Sequence, residues 1–195
     1  MLYPIFLNLE NVSCLVVGGG KVAERKVITL LKAKASVYLI SPNVTDVLQS
    51  FAENGSIKHI AREYSAGDVT DCKLVFALTG KREVNQLVTN EAKANDIWVN
   101  VADEPEEGNI SLPSIVECGN LQLAISTQGT APGLARELRL YFEQVFSEEM
   151  IPLLNEIQRK RQEILDSSKN DENLKHQLLE TELNPLIKNF IQKLP

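Results

Sequence analysis

Three glycines at positions 18 to 20 interrupt an apolar, β-branched run and are followed at once by residues with helical spacing. Together with Ala23 they form the pattern Gly-x-Gly-x-x-Ala, which is typical of the strand–turn–helix unit that binds dinucleotides. In this unit Gly18 permits the tight turn, Gly20 lets the backbone approach a pyrophosphate, and Ala23 lets the helix pack closely on the strand. The free N–H groups and the dipole of the first helical turn then face the phosphates. A plain structural turn is the alternative, but the strand and helix on either side favour a nucleotide site.

Four carboxylates crowd a second stretch, where Asp103, Glu104, Glu106 and Glu107 lie within five residues. They follow a predicted strand, and ligands of open α/β sheets bind at the carboxyl ends of the strands. Crowded like charges raise the pKa of some carboxyls towards the range of a general base, whereas exposed loop carboxylates usually keep ordinary values. We interpret each glutamate as a solvated charge, and Asp103 stands apart because it is nearest the strand end.

A second turn that could bind anions lies near residue 130. Thr127 and Thr130 precede a predicted helix, and Arg136 and Arg139 lie three residues apart on one face of it. Hydroxyls, free backbone N–H groups and guanidinium groups are suited to substrate carboxylates. That the two arginines are ordinary surface charges remains the alternative.

The ribose side of the nucleotide site lacks its usual acidic residue. A predicted strand over residues 35–40 stops at Ser41-Pro42-Asn43, where an adenosine ribose lies in such folds. Ser41, Asn43 or the backbone must therefore recognise the hydroxyls, and the preference between NAD and NADP stays open. Lys21 and Arg25 could meet a pyrophosphate or a 2′-phosphate, or could be solvated charges.

Strands and helices in alternation must position these residues. Apolar runs predict strands at residues 14–17, 35–40, 57–60, 74–78 and 98–101, with helices in the first, second and fourth connections. This alternation is typical of the α/β class and predicts a Rossmann-type five-stranded parallel sheet with right-handed crossovers. Thr79, at the end of the fourth strand, is a candidate neighbour of the nicotinamide side. Residues 1–11 are expected to form an edge strand or a covering segment.

The pattern changes after residue 113. An alternating strand at residues 119–127 and a helix from about residue 134 to residue 146 are too small to enclose a core. From residue 147 only amphipathic helices are predicted, broken near residues 166–171 and at Pro185. We therefore expect a nucleotide-binding Rossmann domain at 1–113, a small α+β dimerisation segment at 114–146 and a C-terminal helical module at 147–195. The apolar positions that would pair two chains are Leu134, Leu138, Tyr141, Phe142 and Val145. That the tail covers this face within one chain is the alternative.

Composition bounds the function. The 195 residues carry a formal net charge of −6, which argues against general nucleic-acid binding. Three widely spaced cysteines indicate neither a disulfide framework nor a zinc site, and only two histidines are present, so we predict no metal site. Because no leader and no membrane-length apolar run is visible, we expect a soluble, unexported, cytoplasmic protein.

Four blocks of sequence resemble the precorrin-2 dehydrogenases, including the amino-terminal module of siroheme synthase. The blocks are residues 4–9, 16–26, 100–103, and 113–115 together with 124–136. The glycine turn alone is shared by many unrelated enzymes, but the four blocks in this order are specific. The chain departs from the family within residues 109–112, where a Phe is usual, and at Gln128 and Ala131, where Gly and Ser are common.

The resemblance implies NAD-dependent oxidation of precorrin-2 to sirohydrochlorin by a homodimer. The key acidic residue of the family corresponds to Asp103, which is then the candidate base, and its serine- or threonine-rich turn to residues 126–127. Its cofactor contacts fall on Gly18, Gly20, Lys21, Val22, Ser41, Pro42 and Asn43. Thr127, Arg136 and Arg139 would hold the substrate carboxylates.

Two other functions stay open. Some members of the family also insert iron, so a bifunctional dehydrogenase and ferrochelatase is one alternative. A regulatory domain that senses NAD or NADH is the other, and the block from residue 124 to residue 136 disfavours it because a pure sensor has no use for that block.

Overall fold

The computed structural model describes residues 2–194 and contains two compact units, the first ending at Leu112 and the second beginning at Pro113. No helix within this described range is long and apolar enough to cross a membrane. The division after Leu112 coincides with the change of pattern that the sequence shows, while residues 114–146 and 147–194 belong to one unit. The three-part division stays a prediction.

The first unit contains the predicted five-stranded parallel sheet. Its strands are β1 (Ser13–Val17), β2 (Ser36–Ile40), β3 (Lys58–Ile60), β4 (Leu74–Ala77) and β5 (Trp98–Val101). They are ordered β3-β2-β1-β4-β5, and every neighbouring pair is parallel. This is the order of a Rossmann half, and it confirms the predicted fold class. The order reverses between β1 and β4, the position where such sheets bind ligands.

Helices cover the sheet because its strands are apolar on both sides. The helices are α1 (Lys21–Lys32), α2 (Asp46–Glu53) and α3 (Arg82–Ala94). One core cluster joins α1 and α2 to the sheet, and α1 contributes Ala23, Val27 and Leu30 to it. A second cluster includes Val88 and Ala92 of α3. Residues 2–9 form no strand, so the expected edge strand is wrong, and only Leu9 of this segment packs against the core.

The second unit begins with a hairpin of β6 (Ser114–Cys118) and β7 (Leu121–Ile125). The sequence analysis predicts only β7 and misses β6, although the two strands have the same length of five residues. The helices that follow are α4 (Pro132–Val145), α5 (Ile151–Ser167), α6 (Glu172–Leu178) and α7 (Asn184–Gln192). The predicted break near residues 166–171 is present, but the predicted break at Pro185 is wrong, because Pro185 lies in the first turn of α7. A π-helical turn at Leu179–Leu183 joins α6 to α7, so the chain stays helical there.

Candidate functional site

A cavity of about 470 Å³ lies at the carboxyl edge of the sheet in the first unit, within the size range of cofactor pockets. The glycine turn, the ends of β2 and β4 and the segment after β3 form its wall. Six of the predicted cofactor residues line it: Gly18, Gly20, Ser41, Pro42, Asn43 and Thr79. Lys21 and Val22 begin α1 beside the cavity and are not part of its wall.

The three glycines of the turn meet three different constraints. At Gly18, φ is +118° and an added Cβ would lie 2.5 Å from the carbonyl oxygen of Leu78. At Gly19 an added Cβ would lie 2.0 Å from the carbonyl oxygen of Asn43. Both distances are too short for any residue but glycine, so these two positions are needed for folding. At Gly20 an added Cβ would meet no atom within 4 Å, so packing within the chain does not require a glycine there.

Gly20 is also the N-cap of α1 and supplies no side-chain hydrogen bond to the first turn. The backbone N–H groups of that turn therefore lack a capping side chain and lie where a phosphate could accept from them. Lys21 donates to Glu24 at 3.0 Å, and its side chain is 76% exposed. Its contact with the cofactor stays a prediction. Hydrogen bonds from Thr45 and Lys21 lower the pKa of the Glu24 carboxyl.

The end of β2 is held by hydrogen bonds of its own. The Ser41 hydroxyl donates to the carbonyl oxygen of Asn43 at 2.7 Å, and His59 Nε2 lies 2.9 Å from the carbonyl oxygen of Ser41. Ser41 is buried, and its hydroxyl hydrogen is used within the turn. The Ser41 oxygen lone pairs and the backbone of residues 41–43 are what remains for a ribose.

An ion pair that the sequence analysis missed lies in the cavity wall. Lys81 Nζ is 2.6 Å from Glu63 Oε1, although the two residues are 18 positions apart. The pair raises the pKa of Lys81 and lowers the pKa of Glu63. Nothing local marks either residue, because both look like ordinary surface charges in the sequence.

Asn85 connects the cavity wall to the acidic loop. Its Oδ1 accepts from the backbone N–H of Thr79 at 3.0 Å and from the Thr79 hydroxyl at 2.7 Å. Its Nδ2 donates to the carbonyl oxygen of Thr79 at 3.1 Å and to Asp103 Oδ1 at 3.0 Å. The sequence analysis missed Asn85, although one signal was available. It shares the buried face of α3 with Val88 and Ala92, where an apolar residue is expected.

The acidic loop after β5 is held by one arginine. Arg82, the first residue of α3, lies 2.5 Å from Glu104 and 2.7 Å from Glu107, and these carboxylates raise its pKa. A hydrogen bond shared with Glu106 raises the pKa of Glu104. Two of the three glutamates are thus paired with Arg82. The exposed Asp103 carboxylate instead accepts a hydrogen bond from Asn85.

The predicted substrate residues lie in the second unit and have partners within it. The Thr127 hydroxyl oxygen accepts from the backbone N–H of Ala131 at 3.2 Å, which closes the turn before α4. Arg136 pairs with Glu137 at 2.8 Å, and Arg139 pairs with Glu143 at 2.5 Å. These exposed pairs contribute little to stability, and the role of Thr127 and the two arginines in substrate binding stays a prediction.

Two further kinds of side chain among the described residues are possible metal ligands and cysteine thiols. Within residues 2–194 no group of three or more His, Cys, Asp or Glu side chains is arranged to hold a metal ion. Cys14, Cys72 and Cys118 are free and buried. Burial raises the pKa of Cys14 and of Cys72 to about 11, so neither thiol is reactive at neutral pH.

Comparisons with known proteins agree with this architecture. Residues 5–114 match the family model described as putative NAD(P)-binding. A siroheme synthase from Methylobacillus flagellatus is 45% identical over 140 residues, which are 72% of this chain and 30% of that protein. A siroheme synthase from Xylella fastidiosa is 36% identical over 193 residues, which are 98% of this chain and 40% of that protein. The chain thus spans less than half the length of these relatives. A solved structure of a precorrin-2 dehydrogenase, 23% identical, matches with a TM-score of 0.75 over 98% of this chain and 100% of that one, which shows a common fold.

We predict that Gly20→Val abolishes nucleotide binding and leaves the first unit folded. The valine side chain would occupy space that no protein atom fills, and loss of the N-cap glycine costs only about 1 kcal/mol. Calorimetric titration with NAD⁺ and thermal melting of the same sample measure the two effects.

Asp171→Ala is the matched control for this variant. Asp171 caps α6 in the second unit by accepting from the backbone N–H of Leu174, so the variant loses a helix cap far along the chain from the cavity residues. It should lower stability by a similar amount and keep wild-type affinity. Normal affinity in Gly20→Val would show that Gly20 does not contact the nucleotide.

Proposed function

The chain belongs to this NAD(P)-binding family, and from that premise we propose that it oxidises precorrin-2 to sirohydrochlorin with NAD⁺. The names of its relatives, siroheme synthase and precorrin-2 dehydrogenase, support this substrate. One observation carries the proposal: the glycine-lined cavity is joined through Asn85 to a carboxylate at the end of the neighbouring strand. A dehydrogenase needs this combination, because a hydride acceptor and a proton acceptor must be held beside one substrate.

The cavity suits a dinucleotide. The space beside Gly20 and the uncapped first turn of α1 would take the pyrophosphate, while residues 41–43 would take a ribose. The bound nicotinamide supplies the acceptor for the hydride. Thr79 and the backbone next to it would orient that ring, since Asn85 holds Thr79 through both its N–H and its hydroxyl.

The charges around the cavity favour NAD over NADP. Of the residues that form its wall, only Lys81 is cationic, and Glu63 already pairs with it. A 2′-phosphate would have to separate this pair or remain close to the Glu63 carboxylate. The end of β2 offers no arginine in its place.

Asp103 is the proposed general base. Its exposed carboxylate can receive the proton that leaves the substrate, while NAD⁺ would accept the hydride. The two hydrogens removed in the oxidation are thus accounted for. Arg82 is occupied by Glu104 and Glu107 and does not neutralise Asp103 in a close ion pair. In this proposal the carboxylates of the tetrapyrrole bind Thr127, Arg136 and Arg139.

Anaerobic incubation of the protein with precorrin-2 and NAD⁺ tests the function. We expect the absorbance of sirohydrochlorin to grow with time, and to grow more slowly when NADP⁺ replaces NAD⁺ at the same concentration. Tight NAD⁺ binding with no sirohydrochlorin formed would contradict the enzyme and support a nucleotide-sensing domain.

The same assay tests the base. Asp103→Asn keeps the size of the side chain and removes its ability to accept a proton, so we expect kcat to fall by roughly 10²–10⁴ with nearly unchanged NAD⁺ affinity. Glu106→Gln is the control, because Glu106 lies in the same loop and is not bound to Arg82. Near-wild-type turnover in Asp103→Asn would show that another group is the base. A clear drop in melting temperature with little change in kcat would show that Asp103 only stabilises the loop.

We also propose that residues 114–146 join two chains into a homodimer. On α4, Leu134 is 55% exposed and Tyr141 is 53% exposed, while Leu138, Phe142 and Val145 on the same helix are half-buried. The helical tail thus leaves part of this apolar face open within a single chain. A second copy of α4 would bury these side chains, and apolar burial is the main driving force of such association.

Light scattering at micromolar concentration tests the dimer. We expect twice the mass of one chain for the wild type, and the mass of one chain for Leu134→Glu combined with Tyr141→Glu. Leu87→Glu is the control, because Leu87 is 62% exposed on α3 in the first unit. A wild-type mass equal to that of one chain would rule out the stable dimer.

We also propose a cytoplasmic location, which three free cysteines support.

A further inference from the structure

We propose that Asn85 is a positioning residue, whose carboxamide fixes Asp103 relative to the wall of the cofactor cavity. The inference rests on the proposed function and adds a residue to it. Asn85 is 1% exposed, whereas the carboxylate that it contacts is exposed. A side chain buried in the core of the first unit thus controls the place of a group at its surface.

All four hydrogen-bonding positions of the Asn85 carboxamide are used. The Thr79 N–H donates to Oδ1, and the Thr79 hydroxyl lies 2.7 Å from Oδ1 and 3.0 Å from the Lys81 carbonyl oxygen, so its one hydrogen is shared between these acceptors. The two N–H groups of Nδ2 point to the Thr79 carbonyl oxygen and to Asp103. The amide can therefore have only one orientation. Turning it over would place its oxygen against the Asp103 carboxylate and its NH₂ group against the N–H of Thr79.

The contacts of Asn85 also link two adjacent strands at equivalent positions. In the sheet register Ala77, the last residue of β4, pairs with Val101, the last residue of β5. Thr79 and Asp103 each follow two residues later. One amide from α3 lies between these two extensions and holds both, so the separation of Asp103 from the cavity does not depend on the loop alone.

The charged neighbours of Asp103 do not replace this contact. Arg82 on α3 lies close enough for Asp103 to contribute to raising its pKa, but its guanidinium bonds go to Glu104 and Glu107. Those two glutamates and Glu106 are the other charges of the loop. The Nδ2 group of Asn85 is thus the neutral donor that holds this carboxylate in place, at 3.0 Å from Asp103 Oδ1.

Asn85→Asp is the informative variant. Its carboxyl group can still accept from the N–H and hydroxyl of Thr79, but its second oxygen takes the place of the donor to Asp103, so the two neighbouring carboxyls hold one proton between them. We expect NAD⁺ affinity within about threefold of wild type, a kcat at least roughly tenfold lower at neutral pH because the shared proton keeps Asp103 from accepting another, and an acid limb of the pH–rate profile moved to higher pH. Asn85→Leu removes every contact of the carboxamide and should also weaken NAD⁺ binding.

Thr89→Val is the matched control. Thr89 is 2% exposed on the same face of α3, and its hydroxyl donates to the backbone oxygen of Asn85 at 2.7 Å. The variant loses a buried hydroxyl without touching the carboxamide, so it should lower the melting temperature and keep the wild-type kcat and pH profile. An equal loss of kcat in Thr89→Val would reduce Asn85 to a packing role and overturn the proposal.

A measurement without turnover separates this inference from the proposed function. In ¹³C NMR spectra the Asp103 carboxyl signal is identified by its absence in Asp103→Asn, and its titration is followed in wild type and in Asn85→Asp. We expect the midpoint to move to higher pH in the variant, and an unchanged midpoint would overturn the proposal. If the midpoint moves but the wild type does not oxidise precorrin-2, the influence of Asn85 on Asp103 is supported and the proposed function is wrong.

Discussion

All five strands of the first unit end in a single row of the sheet. Val17 of β1 pairs with Ile40 of β2 and with Ala77 of β4, and the row continues to Ile60 of β3 and Val101 of β5. The segments that leave this row therefore start at the same height on the same edge. Because parallel strands pair along their whole length, the glycine turn, the ribose-side turn, Thr79 and Asp103 are brought to one edge by backbone hydrogen bonds.

Close backbone contact then shapes the cavity. The glycine turn lies against Leu78 on one side and against Asn43 on the other, at distances where a Cβ cannot fit. Folding alone thus accounts for Gly18 and Gly19. Gly20 faces open space, and no contact within the first unit requires a glycine there. The sequence pattern treats the three glycines alike, while the contacts distinguish two that the turn requires from one beside which space is open.

Polar side chains around the cavity are bonded to partners within the chain. The Ser41 hydroxyl closes its own turn, the Asn85 amide is saturated, and Lys81 is paired with Glu63. Within residues 2–194 no buried side-chain nitrogen or oxygen lacks a hydrogen-bond partner. These polar groups thus already have partners within the chain before any ligand binds. The carboxylate of Asp103 stays accessible, as do the side chains of Lys81 and Glu63.

The sequence by itself determined the five strands, the helices between them, the glycine turn and the place of Asp103 after β5. These features are local, because apolar runs, helical spacing and turn residues act over a few neighbouring positions. Only the tertiary structure decided that Asn85 contacts Asp103, that Lys81 pairs with Glu63 and that Gly19 touches Asn43. It also showed that β6 pairs with β7 and that residues 2–9 form no strand. The partners in the first three contacts lie 18 to 24 positions apart, and local patterns carry no information about which distant side chains meet. The register of the parallel sheet and the path of the loops set those meetings, and they exist only once the chain has folded.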